Sequence, residues 1–315
     1  MSVDATLGIV FPGQGSQSVG MLAELAGAYP SVRATFDEAS TALKRDLWKL
    51  AQNGPEEELN RTVNTQPALL TAGVAVWRTW KTKGGEDPAL LAGHSLGEFT
   101  ALVCAGSLAL AEAVALVADR GRYMQQAVPE GAGAMAAILG LDDANIERIC
   151  AEAAGGQTVA AANYNAPGQV VIAGDRDAVS RAIELARSAG ARRAVLLPVS
   201  VPSHCALMQP AANAFRKRLG SLSFADARIP VVQNVDAQAR TGAQAIMRAL
   251  VQQLCLPVRW VDVIHTMQTH GVRRIVECGP GKVLSGLIKR IDRSLEVDAA
   301  GDPEGLEQEL QRMVQ

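Results

Sequence analysis

One serine lies between two glycines in residues 90–104, a stretch that fits an apolar strand, a tight turn and a helix. Its turn, Gly93-His94-Ser95-Leu96-Gly97, has the pattern G-x-S-x-G, which holds a serine in a strained conformation at a strand-to-helix corner with its hydroxyl exposed. The helix that follows points free N–H groups and the positive end of its dipole at the serine, where negative charge develops during acyl transfer. The pattern favours Ser95 as a nucleophile.

The residues on either side of the turn support this interpretation. Leu90-Leu91-Ala92 is apolar, and Phe99, Leu102 and Val103 form an apolar stripe of helical spacing. The alternative is a glycine-rich corner with a solvated serine, because so short a motif also arises by chance in a chain with 29 glycines. The strand and helix context favours the nucleophile.

A serine hydroxyl needs a nearby base, and the chain has only four histidines. His94 adjoins the serine, so its ring should point elsewhere and support or pack the turn. His265 and His270 fit a surface helix and its end. His204 follows Pro202-Ser203 at a predicted helix start and remains as the candidate base, although a capping or core histidine is an equal alternative on the sequence alone.

Composition excludes several classes of function. With a net charge of −2 over 315 residues, the chain has no general attraction to nucleic acid or membranes. No uncharged apolar run reaches the ~18 residues of a membrane helix, and the first ten residues lack the basic start of a secretory signal. Five scattered cysteines without a C-x-x-C pair argue against a metal site. They fit a reducing cytoplasm, which is the expected location.

The order of predicted elements indicates an α/β fold. The chain is 48% hydrophobic but only 4% aromatic, which suits helices packed on a buried sheet. Strands alternating with helices predict an α/β-hydrolase-like large domain with a mainly parallel sheet, formed by residues 1–127 and 201–315. The order β-α-β-β-α-β over residues 128–200 predicts an inserted ferredoxin-like small subdomain. Within the large domain the sequence predicts one helix over 29–50, a helix over 65–80 with Pro67 in its first turn, and a strand over 230–235.

A glycine-containing loop, Pro12-Gly13-Gln14-Gly15-Ser16-Gln17, follows a predicted strand over 6–11. Ser18 stands where a dinucleotide-binding fingerprint needs its third glycine, and the Lys-Ser/Thr pair of a phosphate-binding loop is missing. The alternative is that the loop supplies a backbone N–H to an oxyanion hole.

Six separated motifs closely resemble those of the bacterial malonyl-coenzyme A:acyl-carrier-protein transacylases, with collinear spacing from about Gly8 to Arg290. The motifs are F-P-G-Q-G-S-Q (11–17), G-H-S-L-G-E (93–98), A-D-R-G-R-Y-M-Q (118–125), A-N-Y-N-A-P-G-Q (162–169), V-S-V-P-S-H (199–204) and V-E-C-G-P-G (276–281). The resemblance implies ping-pong transfer of a malonyl group from coenzyme A to a serine, and then to the phosphopantetheine thiol of an acyl-carrier protein. It implies a role in fatty-acid elongation, no cofactor beyond the coenzyme A thioester that is the substrate, and a monomer.

The resemblance also implies roles for particular residues. Ser95 would be the nucleophile and His204 its general base. No acidic residue lies in a motif as a third member, so a carbonyl oxygen would orient the base, and the resemblance places Gln253 nearby. The backbone N–H groups of Leu96 and Gln14 would form the oxyanion hole.

Arg120 is the candidate for recognising the acyl group. A malonyl group differs from acetyl by one carboxylate, which a guanidinium can bind with two parallel charge-assisted hydrogen bonds. The alternative is a surface arginine paired with Asp119 or Glu112, but the surrounding D-R-G-R-Y-M motif favours the first interpretation. Asn165 and Gln169 are weaker candidates for supporting roles, with loop capping as the alternative.

Three other functions compete with malonyl transfer to a carrier protein of fatty-acid synthesis. A serine hydrolase or thioesterase could use the same turn, an acyltransferase of a polyketide or malonate-decarboxylase system could share the chemistry, and a non-catalytic scaffold could keep the fold. A carrier protein is acidic, so its docking surface should be basic. The pair Arg192-Arg193 is the first candidate for that surface, with Lys282, Lys289 and Arg290 next.

Overall fold

A computed structural model describes residues 3–199 and 201–312. The expected boundary at residue 200 and the chain ends at 1–2 and 313–315 lie outside the described residues. The elements in chain order are β1 (Val3–Phe11), α1 (Ala23–Ala28), α2 (Pro30–Leu43), α3 (Leu47–Asn53), α4 (Glu56–Asn60), α5 (Thr62–Thr82), β2 (Asp87–Gly93), α6 (Gly97–Cys104), α7 (Leu110–Ala127), β3 (Gly133–Leu139), α8 (Asp143–Ala154), β4 (Val159–Ala166), β5 (Gln169–Asp175), α9 (Arg176–Ser188), β6 (Arg193–Leu196), a 3-10 turn (Ala206–Met208), α10 (Gln209–Leu219), β7 (Val231–Val232), β8 (Ala239–Arg240), α11 (Ala243–Gln253), α12 (Trp260–Thr269), β9 (Arg274–Glu277), α13 (Val283–Ile291), β10 (Glu296–Ala299) and α14 (Pro303–Arg312).

A six-stranded sheet in the order β10-β9-β1-β2-β7-β8 forms the centre of the fold. Every neighbouring pair is parallel except β7 with β8, so the prediction of a mainly parallel sheet is confirmed. Side chains alternate between the two faces of a strand. In β1, Leu7, Ile9 and Phe11 pack in one core with α2, α5 and α7, whereas Val10 packs in the other core with α12 and α13. Helices therefore cover both faces.

The register of the sheet brings the loops that follow β1, β2 and β7 together at its carboxyl edge. Phe11 in β1 pairs with Gly93 in β2, and Ala92 in β2 pairs with Val232 in β7. The loop that contains Gln14 and the turn that contains Ser95 therefore leave the sheet side by side. The carboxyl edge of a parallel sheet is the usual place for a binding site.

A second sheet has the strand order β4-β5-β3-β6 and is antiparallel throughout. Its chain order is β3-α8-β4-β5-α9-β6, the order that the sequence predicts. Residues of α8 and α9 pack on one face in a core of their own. Strand β4 also meets the rest of the fold, because Tyr164 N donates to Val258 O (2.9 Å) and Val258 N donates to Ala162 O (2.9 Å).

Three predicted elements of the large domain are wrong in detail. The single helix over 29–50 is two helices, because Lys44 takes a left-handed conformation (φ 53°) after α2, and Asp46 caps α3 by accepting from Lys49 N. Helix α5 begins at Thr62, so Pro67 lies inside it and not in its first turn. The strand over 230–235 shortens to β7, because Gln233 N donates to Gln238 O in a turn that leads to β8.

Gly97 provides a test of the packing between β1 and the turn after β2. A Cβ atom at this position would overlap the carbonyl oxygen of Phe11, whereas a Cβ at Gly286 in α13 would meet no atom. We expect Gly97→Ala to lower the free energy of unfolding by about 2 kcal/mol or more through overpacking. The control Gly286→Ala should raise it by about 0.5–1 kcal/mol, as alanine does in an open helix position. Urea denaturation of both variants measures this, and equal stability would contradict the packing.

Candidate active site

Ser95 lies at the corner between β2 and α6 in a left-handed conformation (φ 51°), which is strained for a residue with a side chain. The two glycines around it are required by close approach. A Cβ at Gly93 would overlap the Gly97 backbone, and a Cβ at Gly97 would overlap Phe11. The turn therefore has the geometry that the G-x-S-x-G pattern predicts.

His204 lies within hydrogen-bond distance of the serine, with Ser95 Oγ and His204 Nε2 2.8 Å apart. His204 Nδ1 is 2.7 Å from the main-chain oxygen of Gln253. A carbonyl oxygen only accepts, so Nδ1 carries the proton and donates to it. Nε2 is then unprotonated and accepts from the serine hydroxyl. The ring has the tautomer that a general base needs.

The surroundings of His204 keep it neutral. The residue is 3% exposed, and burial together with the positive charge of Arg120 lowers the pKa of His204 to about 3. The bond to Gln253 opposes this shift but does not overcome it. The ring is therefore neutral over the physiological pH range, and its Nε2 remains an acceptor for the Ser95 hydroxyl.

Arg120 is buried beside this pair and does not lie on the surface. Its Nη1 donates to Gln66 Oε1 (2.8 Å), and its Nη2 donates to Gln253 Oε1 (2.9 Å) and lies 3.5 Å from Ser95 Oγ. The guanidinium carbon is 5.3 Å from the centre of the Phe99 ring. Burial lowers the pKa of Arg120 to about 10, so the side chain remains charged at neutral pH.

The hydrogen-bonding acceptors of Arg120 are uncharged amide and hydroxyl oxygens, and its Nε has no partner among the described residues. Asp119, the alternative partner from the sequence, forms ion pairs with Arg122 and Arg218 instead. A buried guanidinium without a hydrogen-bonded carboxylate, 3.5 Å from a serine hydroxyl, is suited to bind a carboxylate on an acyl group attached to that serine.

His94 points away from the serine, as predicted. Its Nε2 lies 2.8 Å from Asn165 Oδ1, and its ring is 5.5 Å from that of Trp260. Burial lowers its pKa. Asn165 belongs to β4, so this bond ties the second sheet to the turn. Gln169 lies elsewhere and accepts from Arg290 (2.6 Å).

The two predicted oxyanion donors lie on neighbouring segments. His94 N donates to Phe11 O (3.0 Å), and a Cβ at Gly13 would overlap the His94 carbonyl oxygen, so the loop with Gln14 packs against the turn. Within residues 3–199 and 201–312, neither the backbone N–H of Gln14 nor that of Leu96 donates to a protein acceptor.

Sequence reasoning did not single out Asn234, Glu98 or Gln66. Asn234 Oδ1 accepts from Ser95 N (2.7 Å), and Asn234 Nδ2 donates to Gly93 O (2.7 Å). Glu98 Oε2 accepts from Asn234 N (2.9 Å) and from Gln253 Nε2 (3.1 Å). The sequence offered a signal for each of them. Glu98 is the carboxylate inside the G-H-S-L-G-E motif, Asn234 lies just past an apolar strand, and Gln66 is a polar residue in an apolar helix.

Glu98 is fully buried, and its Oε1 has no hydrogen-bond partner among the described residues. Burial raises its pKa to about 7, against the lowering effects of Asn234, Gln253 and Arg120.

The part of the chain that the structure describes contains no group of three or more His, Cys, Asp and Glu side chains that could hold a metal ion. In the same residues, no helix has the length and apolar character to cross a membrane.

Known proteins share this fold and sequence over nearly the whole chain. Residues 9–300 match the acyl transferase domain family. A malonyl CoA-acyl carrier protein transacylase of Salmonella typhimurium is 58% identical over 297 residues, which cover 94% of this chain and 96% of that protein. An acyl carrier protein S-malonyltransferase of Vibrio cholerae has a solved structure with a TM-score of 0.94 and 56% identity, covering 96% of this chain and 99% of that one.

A second similar solved structure contains a bound partner. It is described as a type II PKS acyl-carrier protein in complex with its malonyl-transacylase, and it matches with a TM-score of 0.96 and 54% identity, covering 97% of this chain and 99% of that one. These relatives are acyltransferases, and the resemblance found in the six motifs is confirmed. This chain belongs to the acyl transferase domain family and, within it, to the malonyl CoA-acyl carrier protein transacylases.

Proposed function

We propose that this acyltransferase moves a malonyl group from malonyl-coenzyme A to the phosphopantetheine thiol of an acyl-carrier protein, through a malonyl-Ser95 intermediate. The observation that carries the proposal is the buried, charged Arg120 with Nη2 3.5 Å from Ser95 Oγ. A plain acyl group offers no partner for this cation, whereas a malonyl group offers a carboxylate. The names of the relatives support the same substrates.

The first half-reaction forms the acyl-enzyme. His204 Nε2 takes the proton of Ser95 Oγ as the oxygen attacks the thioester carbonyl carbon. The carbonyl oxygen becomes an oxyanion that accepts from the N–H groups of Leu96 and Gln14. The carbon–sulfur bond then breaks, and the coenzyme A sulfur takes the proton from His204.

The second half-reaction repeats these steps with a new nucleophile. The carrier thiol gives its proton to His204, and its sulfur attacks the malonyl-Ser95 carbonyl. Ser95 Oγ leaves and recovers the proton from His204. The main-chain oxygen of Gln253 holds the His204 ring in both halves and replaces the carboxylate of a catalytic triad. His94 and Asn165 support the turn from the other side.

Two alternatives have different support. A serine hydrolase would use the same pair, but it would have no need of a buried arginine at the acyl site. A carrier protein of polyketide synthesis is the second candidate acceptor, because one similar structure is a complex with such a carrier. Assays of the purified enzyme against both kinds of carrier, with free malonate measured in parallel, separate these functions.

We propose that residues 128–200 form a ferredoxin-like subdomain set into an α/β-hydrolase-like domain of residues 1–127 and 201–315. The strand order β4-β5-β3-β6 and the separate core of the second sheet support this division. The chain returns from β6 to the turn before His204, so the cleft between the two parts would open at the catalytic pair. We further propose a monomer that acts in the cytoplasm, which suits the cysteine usage.

The base assignment predicts a large and specific loss of rate. Replacing His204 by Ala should slow acylation of the enzyme by malonyl-coenzyme A by roughly two to four orders of magnitude, the usual contribution of a positioned base. His265→Ala is the matched control, because that histidine is exposed on α12. Rapid-quench measurement of the acyl-enzyme checks this, and near-normal acylation in His204→Ala would refute the assignment.

The lowered pKa of His204 predicts an unusual pH profile. A base titrates away as the pH falls through its pKa, and the pKa of His204 is about 3 compared with the ordinary value of 6.5. The acylation kcat/KM should therefore stay flat as the pH falls from 7.5 to 5. An acid limb centred near 6.5 would contradict the burial of the neutral ring.

Substrate recognition predicts a change of preference in Arg120→Ala. The variant should lose malonyl transfer by roughly ten- to a hundredfold, because hydrogen bonds to a charged group contribute about 1.5–3 kcal/mol. Acetyl transfer should fall much less or rise, since that substrate has no carboxylate. Arg122→Ala, which removes a surface arginine of the same helix, is the control. Equal losses for both acyl groups would make Arg120 a structural residue.

Carrier docking can be tested on a basic cavity at the edge of the second sheet. This cavity of about 560 Å³ is lined by Leu139, Pro167, Gly168, Gln169, Arg192 and Arg290. In the described part of the chain, Arg192, Arg193 and Arg290 form no ion pair with an acidic residue. They are thus available to an acidic partner or to a phosphate.

Reversing two of these charges with Arg192→Glu and Arg193→Glu should raise the apparent KM for the carrier protein and flatten its salt dependence. The reason is that charge-steered docking weakens over a Debye length of about 8 Å at physiological ionic strength. Acylation by malonyl-coenzyme A should change little. The same reversal at Arg216 and Lys217 on α10 serves as the control. If the KM for the carrier protein and its salt dependence were unchanged, the carrier protein would have to dock on another surface.

A further inference from the structure

We propose that Glu98 is a positioning residue that sets the preference for a carboxylated acyl group, acting through the side chain of Gln253 and through Asn234. The inference rests on the proposed function. Glu98 lies in the first turn of α6, is fully buried, and takes no part in the proton transfers described above. Its hydrogen bonds go to two amide-bearing residues of the site.

The first connection fixes the direction of the Gln253 side chain. Glu98 Oε2 accepts from the main-chain N–H of Asn234 (2.9 Å), so this oxygen is an acceptor and the Gln253 atom that faces it is the donor Nε2 (3.1 Å). The Gln253 Oε1 atom then faces the other way and accepts from Arg120 Nη2 (2.9 Å). A guanidinium has only donors, so the reversed amide would place two donors together at Arg120. Together with Ser95 O, Glu98 therefore holds the Gln253 amide in the orientation in which Arg120 meets an acceptor.

The second connection holds the backbone of the nucleophile. Gln253 Nε2 also donates to Ser95 O (3.0 Å), and Asn234 Oδ1 accepts from Ser95 N (2.7 Å). Glu98 Oε2 accepts from Asn234 N (2.9 Å). Both polar backbone groups of the strained Ser95 are thus held by residues that Glu98 orients. The distance between Ser95 Oγ and Arg120 Nη2 depends on this arrangement.

A comparison with Glu277 distinguishes positioning from ordinary structural burial. Glu277 is equally buried, and both its oxygens accept hydrogen bonds at the start of α13, from Leu284 N, Ser285 N and Ser285 Oγ. Glu98 uses only Oε2, while its Oε1 has no partner among the described residues. Leaving a buried oxygen unpaired is destabilising, so folding alone does not account for Glu98.

Two conservative variants separate the acceptor from the charge. Glu98→Gln keeps an acceptor at the Oε2 position and removes the charge. Glu98→Asp keeps the charge but withdraws the acceptor by one methylene. The measured quantity is the acylation kcat/KM for malonyl-coenzyme A divided by the acylation kcat/KM for acetyl-coenzyme A. In the same experiment, mass spectrometry monitors the formation of the acyl adduct on Ser95 of the wild-type enzyme.

Positioning predicts that Glu98→Gln keeps the malonyl-to-acetyl ratio within about threefold, whereas Glu98→Asp lowers it by roughly ten- to a hundredfold, as small displacements in a site do. If Glu98→Asp does not fold, Glu98→Met, which has similar length and no strong acceptor, takes its place with the same expectation. Glu277→Gln and Glu277→Asp are matched controls, which should lose stability but keep the ratio.

Each other outcome overturns the inference. Glu98 would be a structural residue if Glu98→Asp left the malonyl-to-acetyl ratio unchanged, or if Glu98→Asp and Glu277→Asp lowered that ratio equally. A lowered ratio in Glu98→Gln with a normal ratio in Glu98→Asp would show that its charge acts and not its position. If the wild-type enzyme forms no malonyl adduct, the proposed function itself fails, and this inference fails with it.

Discussion

The hydrogen bond between His204 Nδ1 and the main-chain oxygen of Gln253 is the constraint on which the site depends (2.7 Å). It fixes the tautomer that leaves Nε2 free for Ser95 Oγ. Gln253 is the last residue of α11. Its main-chain oxygen accepts from His204, while its side chain contacts Arg120 and Ser95 O. Gln253 thereby links His204, Ser95 and Arg120.

Electrostatics explain why a carbonyl suffices where many serine enzymes have a carboxylate. Burial lowers the pKa of His204, and the positive charge of Arg120 lowers it further because it disfavours a second cation nearby. A carboxylate on Nδ1 would raise that pKa and would compete with the substrate for Arg120. A neutral acceptor orients the ring, and the Arg120 guanidinium keeps only uncharged hydrogen-bond partners. In the proposed function, this arrangement provides a neutral base beside a cation that can bind a carboxylate.

Much of this site could be predicted from local sequence, and the rest depends on strand pairing. The spacing of the two glycines predicts the strained turn at Ser95. The D-R-G-R-Y-M motif favours a place for Arg120 in the site over a place on the surface. The contact between Asn234 and Ser95 could not be predicted, because it depends on the pairing of β2 with β7, across 139 positions of sequence. The break at Lys44 was missed because the apolar periodicity continues through it and no glycine marks the left-handed residue.

The proposed function requires that Ser95 carries the acyl group beside a cation that binds its carboxylate. Intact-mass analysis after mixing the protein with malonyl-coenzyme A, followed by peptide mapping, tests it most directly, with Ser95→Ala as the control. We expect one malonyl adduct on Ser95 that disappears when a holo carrier protein is added. An adduct on Cys205 or on another serine, or an adduct that persists in Ser95→Ala, would contradict it.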